Sequence, residues 1–191
     1  MLERISEKTS DYLIRRGIIS IDSRDVYVYG FALLYSFLIN TVVIISAGII
    51  LGKVIETLMF LFIFVVLRSF TGGFHSNSFV LCTVITYSVY TAVMLLSSLR
   101  VHFVLFVILF VGGFVCLFLL VPIEHPNKPI TDKKKRQHKI TSLVLFSFIA
   151  VAGIVINIYD MSYGSVVFFS LIADIVLLFI KNSKKGVTKD V

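Results

Sequence analysis

Charged residues are scarce in this chain: Asp, Glu, Lys and Arg make up 15% of its 191 positions, against about 25% in an ordinary soluble domain. Apolar side chains fill the difference, at 58% of the chain and a mean hydropathy of +0.98. A fold this small has too little interior to hide so much apolar surface. A water-soluble globule is therefore excluded. Lipid is the solvent, and the length leaves room for one membrane domain. Cysteine is scarce too. Cys82 and Cys116 both lie in or beside apolar runs, and two cysteines make no disulfide framework, so both read as free thiols. The opening 29 residues carry five basic and five acidic side chains and no long apolar stretch, so no cleavable signal peptide is expected. Strand-like alternation is missing, which excludes a lipid-facing barrel; helices are then the way to satisfy the backbone in a bilayer.

Six continuous apolar runs are present: Gly30 to Leu51, Val54 to Leu67, Phe79 to Leu99, Phe103 to Val121, Ile140 to Tyr159 and Tyr163 to Ile180. They predict an all-α integral membrane protein with six transmembrane helices spanning residues 30–180. Residues 1–29 precede them as a cytoplasmic segment, and 181–191 follow as a basic tail. Within the first segment, Leu2, Ile5, Thr9, Tyr12 and Leu13 recur at helical spacing among charged residues. This is an amphipathic helix ending near Gly17, either lying on the membrane surface or docked on the membrane domain.

The net charge of +7 follows the gaps between the runs. With the N-terminus inside and six crossings, sixteen of the eighteen basic residues fall on the cytoplasmic side, leaving Lys53 and Arg100 outside. That is the positive-inside pattern. Both termini are expected in the cytoplasm, and no nucleic-acid partner is expected, since a basic binding face needs a water-soluble scaffold.

The turn after the second run, residues 68–82, concentrates the residues able to do chemistry. It reads Arg68, Ser69, Phe70, Thr71, Gly72, Gly73, Phe74, His75, Ser76, Asn77, with Cys82 seven residues after His75. A thiolate is the nucleophilic form of cysteine, and a histidine can generate it. In a straight helix seven residues separate two side chains by roughly 10.5 Å, too far to touch. Gly72 and Gly73 allow a sharp bend that would fold the His75 end back over the start of the third helix. The second run is only about 21 Å long at ~1.5 Å per residue, so the turn is expected below the headgroups, lining a protein cavity. Such a dry pocket would protect a reactive intermediate from water. On spacing alone, the same pair also fits a purely structural role. Metal binding is not favoured, because zinc needs three or four ligands and two converge here; no cofactor is called for.

Other residues carry weaker signals. Arg68 is either a snorkelling interface anchor or a grip on substrate or an oxyanion. Glu56 falls at the outer interface, too far from His75 for a triad unless the second segment is re-entrant. Asp174, an acid inside the sixth run, is a functional candidate, although a hydrogen bond to Asn40 or Asn157 is the preferred reading. Cys116 reads as packing, Gly112 and Gly113 as a close helix approach, and Gly48 with Gly52 as a small-residue pair that could support dimerisation. His102, His125 and His138 have no partner in view. A homodimer suits a protein this small.

The run from Arg68 through Gly72, Gly73 and His75 to Cys82 resembles the signature of the accessory gene regulator protein B (AgrB) family of bacterial membrane endopeptidases. Asn127, Lys128, Pro129 and Ile130 after the fourth run also match, as do the length, the six runs and the basic loop 124–139; Ser76 departs from a small apolar residue. The resemblance implies Cys82 as nucleophile and His75 as general base, with Arg68, Gly72 and Gly73 in support. It also implies a quorum-sensing propeptide as partner. Its tail would be released through an acyl-enzyme thioester and the product closed to a thiolactone or lactone. The N-terminal helix would help dock the precursor's leader. Lys133, Lys134, Lys135 and Arg136 read first as topology determinants, and second as attractors of membrane lipids or an acidic precursor tail. A non-enzymatic transporter or assembly partner is the rival reading. It explains the composition and leaves the His75–Cys82 arrangement without purpose.

Overall fold

Lipid offers the backbone no hydrogen-bond partner, so each apolar run closes its own bonds as a helix. The computed structural model describes residues 2–71, 79–121 and 132–187. Among these the chain is helical, with no strand: α1 (Leu2–Arg15), a short 3-10 turn (Ile21–Ser23), α2 (Arg24–Ile50), α3 (Val54–Thr71), α4 (Phe79–Leu96), α5 (Phe103–Leu120), α6 (Asp132–Tyr159) and α7 (Met161–Val187). Among the described residues five helices are long and apolar enough to cross a membrane, namely α2, α3, α5, α6 and α7. The expected third span corresponds to α4, of which Thr83–Leu96 is a shorter apolar helix.

The α2–α3, α4–α5 and α6–α7 connections gather at one end, here called the upper end. Lys53 Nζ donates to the Met94 carbonyl at 3.1 Å, tying the first connection to the top of α4. Asn157 Nδ2 donates to Val101 O at 3.2 Å, and Ser165 Oγ donates to Leu99 O at 2.7 Å while accepting from Val101 N. These bonds join the second connection to the third.

α7 is the central helix, packed against α3, α4, α5 and α6. It is buried on several sides, through core residues such as Val166, Leu171 and Leu178 and through small residues near its start. Ser165 and Ser170 are fully buried; the Ser165 hydroxyl shares its one proton between Leu99 O and Met161 O, Ser170 donates to Val166 O, and Gly164 lies against Asn157 with no room for a Cβ. Small residues allow close helix approach where lipid supplies no hydrophobic drive between helices. The outward residues are large and apolar, among them Ile50, Leu119 and Phe148; they are the surface that faces hydrocarbon.

Several expectations change. α3 continues past its apolar run to Thr71, giving about 27 Å of helix at ~1.5 Å per residue, rather than a short segment ending at Leu67. Ser69 Oγ donates to Val65 O at 2.7 Å in this added turn, and the Arg68 guanidinium sits over the Phe64 ring, 5.0 Å from its centroid. α6 likewise begins at Asp132, so Lys133–Arg136 ride on helix rather than loop. Gly48 and Gly52 both serve the α2–α3 hairpin. Gly52 takes φ +65° in the α2–α3 turn, and Gly48 is covered by Thr57, so this pair offers no helix face to a second copy. Gly113 does allow close approach, to Phe146 and Ile175, whereas Gly112 meets nothing.

α1 ends at Arg15, close to the expected Gly17, which follows in a turn at φ +67°. It packs on α2 through a face of Ser6 and Ser10, both fully buried. Thr9 Oγ1 and Tyr35 Oη are 2.9 Å apart, and Arg24 Nε donates to Asp11 Oδ1 at 2.7 Å. Ile5 and Tyr12 stay exposed. Docking on the membrane domain is thus the observed arrangement.

Candidate active site

α2 and α3 form a hairpin that is tight at the top and open below. At the top, the Thr57 side chain fills the space a Cβ on Gly48 would need. Thr57 Oγ1 donates to Lys53 O at 2.6 Å and accepts from Tyr90 Oη at 2.9 Å, so α4 joins the same clamp. Lower down, where larger side chains face each other, the helices leave a cavity of about 210 Å³. A single buried water needs roughly 10–15 Å³ by the same kind of measure, so this is more than a packing gap.

The cavity's walls are mostly apolar, with Leu33, Phe37, Ile44, Leu61 and Phe64 prominent. A polar set is spread over three helices: Ser36, Asn40 and Thr41 on α2, Arg68 and Ser69 on α3, and Thr86 on α4. Apolar walls with a few convergent polar groups are the usual make-up of a ligand site. Ser36 and Asn40 are one turn apart on α2, a spacing visible in the sequence. Their convergence with Arg68 and Thr86 depends on how three helices splay and was not.

Of the expected site residues, Arg68 lies on the cavity wall. Gly72, Gly73 and His75 lie outside the described residues. Cys82 falls in the first turn of α4 as described, three residues after Phe79. One helical turn separates its backbone position from Thr86, which lines the cavity. The basic cluster is close as well. The rings of Phe70 and His138 are 5.9 Å apart, which brings the first turns of α6, with Lys133, Lys134, Lys135 and Arg136, beside the end of α3. Lys133, Lys134 and Arg136 are exposed. His138 was not singled out from the sequence, where nothing links it to residue 70.

The expected bond from Asp174 to Asn40 or Asn157 is not made. Asn157 is at the upper end, turned to Val101, while Asp174 is thirteen residues along α7 from Met161, too far below to reach. Asp174 is buried, and α7 brings it beside α3. His102 caps α5, its ring nitrogen accepting from Val104 N at 3.4 Å. Cys116 is a free thiol, half-buried in α5. Glu56 is in the first turn of α3, at the opposite end of that helix from Arg68. Among the described residues no group of His, Cys, Asp and Glu could hold a metal ion.

Comparison with known proteins bears on nearly the whole chain. The family model described as Accessory gene regulator B matches residues 6–180. "Putative AgrB-like protein 2" of Clostridium perfringens (strain 13 / Type A) is 30% identical over 168 residues, covering 82% of this chain and 78% of its own. A second, "Putative AgrB-like protein" of Clostridium perfringens (strain SM101 / Type A), is 28% identical over 178 residues, covering 87% and 83%. No solved structure matches the chain.

Proposed function

The chain belongs to the accessory gene regulator B family, whose role is in processing quorum-sensing propeptides, and on that premise we propose that it is a membrane cysteine endopeptidase acting through Cys82 and His75. The observation that carries the reading is the register of Cys82, at the start of α4 and one turn from a cavity that α2, α3 and α4 wall together. A helix start carries partial positive charge, which favours an anion placed there, and the thiolate is the attacking form of cysteine.

In the proposed reaction a strand of the propeptide enters the cavity with its scissile carbonyl at Cys82. His75 takes the thiol proton. The sulfur attacks the carbonyl carbon, and His75 returns the proton to the departing amine as the C-terminal tail leaves. The remaining acyl group is then a thioester on Cys82. A cysteine or serine side chain of the same propeptide attacks it, closing a thiolactone or lactone and freeing the Cys82 thiol. The apolar walls keep competing water from the thioester. Lys133–Arg136, exposed beside the end of α3, attract an acidic precursor segment. The charge count supports placing this end of the bundle, and both termini, in the cytoplasm of a bacterial cell, where thiols stay reduced.

The test uses the purified protein in proteoliposomes with its propeptide, in a Cys116→Ala background so that Cys82 is the remaining thiol. Iodoacetamide, Cys82→Ala and His75→Ala are each expected to abolish tail release. Full release after any of the three would overturn the assignment.

A further inference from the structure

Leu38, Ile39, Val42 and Val43 of α2 turn outward, while Ser36 and Asn40, one helical turn apart, line the cavity. Ser46 on the same helix donates to Val42 O, and Ser69 on α3 to Val65 O, each a turn back. Among the described residues Ser36 and Asn40 make no side-chain hydrogen bond, although Ser36 is 7% exposed. A hydroxyl and an amide held at membrane depth without a protein partner are costly, and polar residues that face an intramembrane cavity mark a ligand path.

The chemistry of the pair selects the ligand. An acyl chain offers neither donor nor acceptor. A peptide strand offers both at each residue, and the Asn side chain carries the same combination, a carbonyl acceptor and N–H donors. The spacing agrees. One turn sets Ser36 and Asn40 about 6 Å apart along the helix axis, and peptide groups facing one side of an extended strand recur every ~6.6–6.8 Å. Depth agrees as well. Asn40 is eight residues below Gly48 on α2 and Cys82 eight below Tyr90 on α4, about 12 Å of helix in each. Gly48 and Tyr90 meet Thr57 in the upper clamp. Asn40 and the backbone of Cys82 therefore lie equally far along their helices from it.

We propose that Asn40 and Ser36 grip the main chain of the propeptide: the Asn40 amide pairs with a peptide group beside the scissile bond, and the Ser36 hydroxyl with the peptide group two residues further toward the lower end. Main-chain bonds of this kind supply affinity and register, and leave side-chain preference to the surrounding walls. The inference rests on the propeptide reading of the cavity.

The experiment measures tail release in proteoliposomes by wild type, Asn40→Leu, Asn40→Ala and Ser36→Ala, with thermal unfolding alongside. The substrates are the propeptide and a series in which one peptide group at a time, the scissile bond excepted, becomes an ester and loses its N–H. Asn40→Leu is expected to lower kcat/KM on the order of tenfold, the worth of an unmade hydrogen bond. Its Tm is expected to hold or rise, because no internal bond is removed. One ester is expected to slow the wild type by a similar factor and Asn40→Leu no further. The ester two residues away is expected to behave in the same way with Ser36→Ala. Asn40→Ala repeats the comparison if Asn40→Leu does not fold.

Wild-type processing by the Asn40 variants would overturn the inference. So would ester losses that are the same in the wild type and the Asn40 variants at every position, which would leave the amide to another ligand or a structural role. Cys82→Ala run in parallel separates the two levels. If it still processes, the endopeptidase reading falls; if it is dead while the Asn40 variants are fully active, this inference alone falls.

Discussion

Gly48 of α2 and Thr57 of α3 meet so closely that the threonine occupies the place of a Cβ on the glycine. The contact sets the top of the α2–α3 hairpin and, through it, the opening of the cavity below. Gly48→Val is expected to destabilise the protein by about 1–3 kcal/mol, as overpacking does, and to reduce processing by disturbing the splay of the two helices. Thermal unfolding in detergent checks the first effect; an unchanged Tm would mean the hairpin has slack there.

Tyr90 adds α4 to that clamp by donating to Thr57 Oγ1. Thr57 keeps its own bond to Lys53 O when the phenol is removed, so Tyr90→Phe leaves no new unpaired donor. Its cost is expected near the membrane average of about 0.6 kcal/mol, with about 1.7 as the ceiling. A larger loss in denaturant unfolding would show that the hydroxyl has a further role.

The cavity itself can be filled. Ser36 is 7% exposed and lines it from α2. Ser36→Phe is expected to raise KM for the propeptide on the order of tenfold or more, comparable to losing a well-packed contact, while the protein elutes and melts normally. An unchanged KM would place the bound strand elsewhere.

Acid should loosen α1. The Arg24 hydrogen bond and charge hold the Asp11 carboxyl below its ordinary pKa. A depressed folded-state pKa stabilises docking above the unfolded value of about 3.9. That contribution is lost as pH falls through the lower folded value. The pair is exposed, so the effect is small and salt-sensitive. Amide exchange across residues 2–15 should rise at acid pH in the wild type and be already raised, and flat with pH, in Asp11→Asn. Identical profiles would remove the pair from the docking of α1.

The membrane helices were legible because apolar runs of this length have few other fates, and α1's end was legible because Gly17 permits a positive φ. Helix ends were harder to read. α3 outran its apolar stretch because the stem of Arg68 and the back-bonded Ser69 continue a helix that hydropathy alone ends at Leu67. Gly48 and Gly52 looked like a surface for a second helix, yet one packs inside the hairpin and the other turns it. Asp174 and Asn157 are seventeen positions apart in the chain on adjoining helices, and their separation in depth emerges only when α6 and α7 are laid side by side. The cavity depends on three helices diverging from a clamp at Thr57, which no local pattern encodes. For the proposed catalytic pair, Cys82 is placed by its position on α4, while His75 lies outside the described residues.

A propeptide whose ring-forming cysteine or serine is replaced by alanine can be cleaved but not cyclised, so the acyl group should remain on the enzyme. Intact-mass analysis after mixing it with the protein should show one added N-terminal propeptide fragment, mapped to Cys82 and released by hydroxylamine. Tail release with no adduct at Cys82, or an adduct that survives in Cys82→Ala, would contradict covalent catalysis by that sulfur.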